Sequence, residues 1–292
     1  MTAGLLTTAF LPLALGFIMF GLGLTLRIGD FTRVLVYPRA VLVGLGCQVV
    51  LLPLVCVGVA HAFGLEPALA VGLMLLAASP GGVTANLYSH LSNGDVALNI
   101  TLTAINSVLA IVTLPIIVNL AMLHFMGEGQ VIPLQFSKVL TLFTIVLGPV
   151  AVGMLLNAKA NALTQRLLKP VKWLSIIFLV AIVGLVFGND RENIGAYFAL
   201  VGAACLVFNL ASLGVGYWVP RLLKLDERQA IAIGMEIGIH NGTLAIAIAL
   251  SPMMLNNPTM AIPAAIYSLF MFVTAALFGW WVSRRAQPRA AS

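Results

Sequence analysis

The sequence predicts an all-α polytopic membrane protein with nine transmembrane helices. Of its 292 residues, 61% are hydrophobic and only 8% are charged, whereas about 25% of the residues in a soluble domain are charged. Apolar runs recur along the chain, and each has about the 20 residues that a helix needs to cross a bilayer. The basic residues lie between these runs, where they set orientation, so the net charge of +6 does not indicate a nucleic-acid partner.

Counting about 20 apolar residues per crossing defines the individual spans. They cover residues 5–26, 40–62, 67–89, 96–123, 133–157, 171–188, 194–218, 229–251 and 258–282. No basic residue precedes the first run and Arg27 follows it, which is the reverse of a secretory signal peptide, so we interpret it as a retained span. His61 and His90 fall at span ends and His124 in a loop, and we expect interfacial or solvated side chains there.

The distribution of lysine and arginine predicts the orientation. The loops after spans one, five and seven, together with the tail at residues 283–292, hold 13 of these residues, whereas the opposite side holds only Lys138 and Arg191. Cytoplasmic loops carry the excess of positive charge. We therefore expect an inner (cell) membrane protein with its N-terminus outside and its C-terminus in the cytoplasm. One span too few or too many in the count would distribute these basic residues over both sides of the membrane. The observed asymmetry therefore also supports the count of nine.

The eighth span carries a carboxylate, Glu236, in the middle of its apolar run. A charge at membrane depth costs at least about 2.5 to 3.5 kcal/mol, so such a residue indicates a functional site. Gly238 and Gly242 flank His240 and Asn241, and glycine allows a membrane helix to interrupt its hydrogen bonds. We interpret the segment as a broken helix with an acid at its break. The alternative is a carboxyl group neutralised by a proton or by a structural partner.

The third span also predicts a broken helix. Pro80 cannot donate a backbone hydrogen bond, and Gly81 and Gly82 weaken the helix further. Spans three and eight lie five apart and cross in opposite directions, so residues 1–123 and 133–282 are predicted to be inverted repeats within one unit spanning residues 1–292. Interrupted segments at matching places in two halves indicate a transporter site.

Oxygen-bearing side chains lie in the middle of four of these spans. They are Gln48, Asn86, Asn99, Thr103 and Glu236. A broken helix adds free carbonyl groups, which suit a cation, and free N–H groups, which suit an anion. Na+ is a hard cation that prefers oxygen ligands. Any one of these side chains alone is explained by an interhelical hydrogen bond worth about 0.6 kcal/mol, but together with two broken helices they favour an ion site.

Several motifs, taken together, resemble the bile acid:sodium symporter family over essentially the whole chain. They are residues 16–26, Gln48-Val-Val-Leu-Leu-Pro53, Ser79-Pro-Gly-Gly82 through Asn86, Asn93-Gly-Asp95 and Glu236-Ile-Gly-Ile-His-Asn241. The resemblance implies two crossing broken helices in a core domain beside a panel domain. It also implies an inverted repeat of four and five helices, because the chain starts at the position of the family's second helix.

The same resemblance implies two Na+ sites that share Glu236. The first consists of Asn86, Asn99, Thr103 and Glu236, and the second of Gln48, Glu236, the carbonyl groups of Ile237 and Ile239, and His240. Two positions depart from the family pattern. Ala85 stands where a serine often binds the first ion, with Thr101 or Asn106 as open replacements, and His240 stands where glutamine is usual. The second site is then weakened, or His240 couples protons.

For the substrate, the resemblance implies an organic anion at the N-terminal ends of the second half-helices. The residues concerned are Val83, Thr84, Asn241, Gly242 and Thr243, with Ser268 in the last span. The anion is either bile acid-like or a smaller carboxylate such as pantoate or a keto acid. Met271 and Phe272 replace polar contacts of some members, so we expect an apolar cavity. We expect no organic cofactor and no obligate protein partner.

These observations favour Na+-coupled symport of an organic anion by alternating access. Proton coupling through Glu236 and His240 is the alternative in the same class. An intramembrane enzyme with these two residues as acid and base is less favoured, because the glycines break the helix and a further catalytic partner is missing. A channel is also less favoured, because an occluded site between inverted repeats predicts saturable turnover.

Overall fold

A computed structural model describes residues 11–127, 136–188, 194–251 and 254–286. The helices of this part of the chain are α1 Leu11–Thr25, α2 Ile28–Thr32, α3 Pro38–Gly46, α4 Leu52–Ala62, α5 Pro67–Ala78, α6 Val83–Leu91, α7 Val96–Met126, α8 Phe136–Lys159, α9 Asn161–Gly188, α10 Ile194–Leu222, α11 Glu227–Gly238, α12 Gly242–Leu250 and α13 Ile262–Ala286. A π-helical turn, Cys47–Leu51, joins α3 to α4. The predicted all-helical fold is therefore confirmed for the described residues, which contain no β-strand beyond one isolated bridge.

Several helices have the length and apolar composition needed to cross a membrane. Within the described residues these are Pro38–Ala62, Val96–Met126, Val201–Leu222 and Pro258–Arg284. A fifth span results if α1 is counted together with the segment Ile28–Leu35, which is bent from it by 74°. The chain is thus a multi-pass membrane protein. The count of nine spans stays a prediction, and residues 5–10 and 133–135 of two predicted spans lie outside the described part.

Two predicted loops are helical. Helix α9 begins at Asn161, ten residues before the predicted span 171–188, because its first turns are rich in Ala, Leu, Gln and Arg, which are good helix formers. Arg166 and Lys169 are exposed on these turns, so they lie on a helix instead of a loop. Helix α7 continues to Met126, so His124 is also in a helix. The length of the apolar run underestimates the length of such helices, since polar residues extend them into the membrane–water interface.

Three helices, α1, α8 and α9, pack against one another, and we call them the three-helix layer. Gly23 of α1 and Gly153 of α8 allow close approach, since a Cβ atom at either position would meet backbone atoms of the other helix. Asn157 reinforces the contact by donating from Nδ2 to the Leu26 carbonyl at 3.0 Å. The layer draws one helix from the predicted first repeat and two from the second.

The remaining helices form a larger body with the two broken helices in its centre. Residues 69–78 of α5, 230–238 of α11 and 242–249 of α12 are all buried, as expected for helices that are apolar on every side. Helices α4, α7, α10 and α13 pack around them. Asp95, Asp226 and Asn241 cap the starts of α7, α11 and α12 by accepting backbone N–H groups at 2.8 to 3.0 Å, the usual role of these residue types.

A glycine pair tests how closely α5 is packed. At Gly72 a Cβ atom would meet the backbone carbonyl of Met260, whereas at Gly58 of α4 no atom lies within 4 Å of it. We expect Gly72→Ala to lower the heat-unfolding midpoint, because overpacking costs about 1 to 3 kcal/mol. Gly58→Ala should leave the midpoint unchanged or raise it, because alanine is favoured in helices by about 1 kcal/mol. Equal midpoints for the two purified variants would contradict this packing.

Candidate functional site

The breaks of the two interrupted helices lie side by side and pair through their backbones. Gly81 and His240 form an antiparallel bridge. The Gly82 amide donates to the Ile239 carbonyl at 2.8 Å, and the Asn241 amide donates to the Pro80 carbonyl at 2.9 Å. Backbone groups that a helix break frees inside a membrane must find partners within the protein. Each break supplies those partners to the other, and this pairing positions the site.

The carbonyl groups freed at the second break have distinct partners. The Gly238 carbonyl accepts from Asn209 Nδ2 at 3.0 Å and from the Tyr267 hydroxyl at 2.9 Å. The Ile239 carbonyl accepts from Gly82. Because the Asn241 amide donates to Pro80, the Ile237 carbonyl loses its usual helical donor. This leaves the predicted role of the Ile237 carbonyl as a ligand open.

Asn209 is a residue whose role the sequence analysis missed. It lies fully buried in α10, and its Oδ1 accepts the hydroxyl proton of Thr274 in α13. Together with Tyr267 it fixes the end of α11 from two neighbouring helices. The available signal was a lone amide in the middle of the apolar run 194–218, the same signal that singled out the other amide side chains.

Gln48 and His240 meet at the first break. Gln48 Nε2 donates to the carbonyl groups of Ala77 and Ser79 at 3.1 and 3.0 Å. His240 Nδ1 lies 3.3 Å from the Ser79 carbonyl, which can only accept, so the proton is on Nδ1 and the lone pair is on Nε2. Gln48 is carried by the π-helical turn Cys47–Leu51, a distortion that frequently marks functional sites.

Glu236 lies against the first break with only 1% of its surface exposed. Thr103 donates its hydroxyl to Glu236 Oε2 at 2.6 Å. Asn99 Nδ2 donates to the carbonyl of Ala232, one turn before Glu236, at 2.7 Å. Gly81 packs so tightly that a Cβ atom there would meet the carboxylate. Among the described residues, Glu236 has no cationic partner, so its charge lacks compensation.

Unpartnered polar atoms are frequent among the predicted ion-site residues. Within the described residues, nine buried side-chain polar atoms have no hydrogen-bond partner, and six of them belong to five predicted ion-site residues: Gln48 Oε1, Asn86 Oδ1 and Nδ2, Asn99 Oδ1, Glu236 Oε1 and His240 Nε2. Each such atom costs about 1 to 3 kcal/mol when it is left unpaired. Four of the six are oxygens, which are the ligands that a hard cation prefers.

Thr101 and Asn106, the possible replacements for the ligand missing at Ala85, differ in their hydrogen-bond partners. Ala85 is fully buried and offers only a methyl group. Thr101 donates its hydroxyl to the Ala97 carbonyl of its own helix at 2.8 Å. Asn106 is buried one helical turn beyond Thr103, and its Nδ2 has no partner. Asn106 therefore lies on the site-facing side of α7, whereas the Thr101 hydroxyl already has a partner.

Among the predicted substrate residues, Asn241 lines a small cavity between the crossing and the three-helix layer. The cavity has a volume of about 10 Å³ and is lined by Met19, Leu22, Pro80, Ser107, Leu147, Val150, Asn241 and Leu244. This volume suits about one water molecule, so an organic anion requires the cavity to open. The lining is mostly apolar, but Met271 and Phe272 do not belong to it, so the expectation from those two residues stays a prediction.

The other predicted substrate residues lie around the starts of α6 and α12. Ser268 donates to the Ala264 carbonyl at 2.7 Å, and its Oγ packs against Gly242. Thr243 is buried and Thr84 is half-buried, while the Val83 side chain lies outside the described part. The structure thus brings Ser268 to the start of α12.

Two interrupted helices that cross beside a buried carboxylate define a class of protein. Such crossings provide both free carbonyl groups and free N–H groups at membrane depth, and they are typical of ion-coupled secondary transporters.

Sequence comparisons identify the family. The profile of the Sodium Bile acid symporter family matches residues 12–197, and the chain belongs to this family. The uncharacterized sodium-dependent transporter YocS of Bacillus subtilis (strain 168) is 28% identical over 284 residues, which cover 97% of this chain and 86% of that protein. The resemblance inferred from the motifs is confirmed.

Two further relatives extend the comparison. The probable sodium/metabolite cotransporter BASS2, chloroplastic, of Oryza sativa subsp. japonica is 27% identical over 281 residues, covering 96% of this chain and 65% of that protein. The ileal sodium/bile acid cotransporter of Oryctolagus cuniculus is 25% identical over 281 residues, covering 94% of this chain and 79% of that protein. The names of these relatives describe cotransporters and not enzymes, and the chain belongs to a family of sodium-dependent membrane transporters.

The two glycines of the first break provide a matched test of the crossing. A methyl group at Gly81 would meet the Glu236 carboxylate, whereas the atom nearest to a methyl group at Gly82 is the His240 carbonyl oxygen at 3.5 Å. We expect Gly81→Ala to lower the heat-unfolding midpoint more than Gly82→Ala, by the equivalent of about 1 to 3 kcal/mol. Circular dichroism of the purified variants measures the difference. A smaller effect at Gly81 than at Gly82 would contradict the contact.

Proposed function

We propose that the protein is a Na+-coupled symporter that imports an organic anion by alternating access. The observation that supports this most directly is the set of unpartnered oxygen atoms on the predicted ion-site residues, of which Gln48 and Glu236 contact the first helix break. Family membership supports Na+ as the coupling ion. The proposed site lies in the inner (cell) membrane, with the N-terminus outside and the C-terminus in the cytoplasm.

The first proposed Na+ site consists of Asn86, Asn99, Thr103 and Glu236. The hydrogen bond from Thr103 to Glu236 places two of these residues in contact, and the side-chain oxygens of Asn86 and Asn99 have no partner. Because Asn99 is held by its amide nitrogen, its oxygen remains available. These oxygens fit a hard monovalent cation.

The second proposed site consists of Gln48, Glu236, the Ile237 and Ile239 carbonyl groups, and His240. Gln48 and His240 both contact the Ser79 carbonyl, which leaves Gln48 Oε1 and His240 Nε2 free. His240 presents a nitrogen where Na+ prefers oxygen. We therefore expect this site to bind Na+ more weakly than the first.

Glu236 provides the link between ion binding and substrate binding. Its uncompensated charge disfavours closure of the apolar surroundings until it binds a cation. With that charge neutralised, Glu236 no longer opposes the backbone pairing of Gly81 with His240. The pairing then brings the starts of α6 and α12 together, where N–H groups near Val83, Thr84, Asn241, Gly242 and Thr243 bind the anion, with Ser268 packed behind them.

The lining of the small cavity in front of the crossing supports the proposal of alternating access. Met19, Leu22, Leu147 and Val150 of the three-helix layer close it with apolar side chains. Apolar contacts are non-directional, so this surface can slide or rock without breaking hydrogen bonds. We infer that the three-helix layer acts as the panel domain and that the larger body acts as the core domain.

The mostly apolar lining favours an anion with an apolar part. Ser107 and Asn241 are the polar side chains that face the cavity among the described residues. A bile acid-like compound or a smaller carboxylate such as pantoate or a keto acid has the required chemistry. The rabbit relative is named for a bile acid and the rice relative for a metabolite.

Proton coupling is the second candidate, and the observation that favours it is the free Nε2 of His240. In that mechanism Glu236 and His240 carry protons in place of Na+. Uptake driven by a pH gradient in sodium-free buffer would support it. Uptake that requires sodium at every pH would support Na+ coupling.

A thermal experiment tests the Na+ sites without knowledge of the substrate. A ligand that binds only the folded state stabilises it by RT ln(1 + [L]/Kd), about 2.7 kcal/mol at a hundredfold excess over Kd. We expect the wild-type heat-unfolding midpoint to be higher in sodium than in matched potassium or choline buffer. Glu236→Gln should lose this difference, because it removes the charge that both sites share.

The matched control is Glu66→Gln, since Glu66 is exposed and its side chain makes no capping hydrogen bond. This variant should keep the sodium-dependent increase. A sodium effect of wild-type size in Glu236→Gln would refute the proposed sites. Absence of any sodium effect on the wild-type midpoint would refute Na+ coupling. The heat-unfolding midpoint would then be measured as a function of pH.

A further inference from the structure

Two histidines far apart in sequence meet at the ends of α4 and α7. His61 is in the last turn of α4 and His124 is in the last turn of α7. Their Nε2 atoms are 2.7 Å apart, and their rings are perpendicular, with centroids separated by 5.0 Å. Both side chains are exposed, so they are not part of the buried crossing.

The distance between the two Nε2 atoms defines the chemistry of the pair. At 2.7 Å one nitrogen donates a proton and the other accepts it, so a single proton lies between two imidazoles. The C-terminal end of each helix also carries about half a negative charge. Two imidazole nitrogens that share one proton and two negative helix ends therefore converge on one position, which favours a cation that can replace the shared proton.

We propose that His61 and His124 form a surface site for a divalent transition-metal ion of the Zn²⁺ or Ni²⁺ class. Neutral imidazole is a preferred ligand of these ions, in contrast to Na+, which prefers oxygen. Zn–N distances are about 2.0 to 2.1 Å in tetrahedral sites, which separates two ligand nitrogens by roughly 3.3 Å. The rings need to part by only about 0.6 Å, a small movement for exposed side chains.

The site is a bridge completed by water. No group of three or more His, Cys, Asp or Glu residues in the described part of the chain is arranged to hold a metal. The two imidazoles therefore provide the protein ligands, and water molecules occupy the other positions. With two protein ligands, the metal binds reversibly and more weakly than in a closed structural site.

The bridge would connect two elements that hold the crossing. Helix α4 leads through residues 63–66 into α5, the first half of the first broken helix, and α7 carries Asn99 and Thr103. In the proposed orientation both helix ends face the outside, where a metal ion in the medium can reach them. Metal binding is thus expected to stabilise the larger body from its outer end.

Calorimetric titration with Zn²⁺ tests the proposal directly on the full chain, purified without a polyhistidine tag and washed free of metal. We expect one Zn²⁺ per chain for the wild type, and at least tenfold weaker binding for His61→Ala and for His124→Ala. The matched control is His90→Ala, because His90 is also an exposed histidine in the last turn of a helix, α6. This control should bind Zn²⁺ like the wild type.

The heat-unfolding midpoint without metal shows that each variant is folded, and His61→Gln replaces His61→Ala if the alanine variant is not. Added Zn²⁺ should raise the midpoint of the wild type and of His90→Ala, but not of the His61 or His124 variants. Absence of saturable binding to the wild type would overturn the proposal. Binding of wild-type strength in either His61→Ala or His124→Ala would overturn it as well.

Discussion

The rest of the site depends on the backbone pairing between the two helix breaks. A membrane helix that stops at Ala78 or Gly238 leaves polar backbone groups without water, and few arrangements can satisfy them. Here Gly81 pairs with His240, and the neighbouring amides bond across the gap. This contact requires a glycine at position 81, because the Glu236 carboxylate lies where any side chain would be. One solution to a hydrogen-bonding problem thus places the carboxylate at the crossing.

The carboxylate is costly there, and its surroundings reduce that cost only in part. Thr103 donates one hydrogen bond to it, while Asn209 and Tyr267 fix the neighbouring Gly238 carbonyl so that the end of α11 keeps its position. The remaining oxygens of Gln48, Asn86 and Asn99 point to no protein partner. We propose that a cation binds these unsatisfied side-chain oxygens. We infer that ion binding and closure of the crossing stabilise each other.

Much of this architecture could be predicted from local sequence, because apolar length and helix breakers act over a few residues. The break after Ala78 and the break after Gly238 follow from Pro80, Gly81, Gly82 and the later glycines. The π-helical turn at Gln48 could not be predicted, since Cys47–Leu51 contains neither proline nor glycine. The contacts of Asn209 with Gly238 and of His61 with His124 depend on tertiary packing, which no local pattern encodes. The polar first turns of α9 were missed because apolar counting ignores them.

Equilibrium binding of radioactive sodium to the purified protein tests the central claim most directly, because it counts ions at sites that share Glu236. We expect two saturable sodium ions per chain, of which Asn99→Ala loses one and Gln48→Ala loses the other. Glu236→Gln should lose both while remaining folded. Saturable sodium binding of wild-type stoichiometry in Glu236→Gln would contradict the proposed sites, because sodium binding would then not depend on the Glu236 carboxylate.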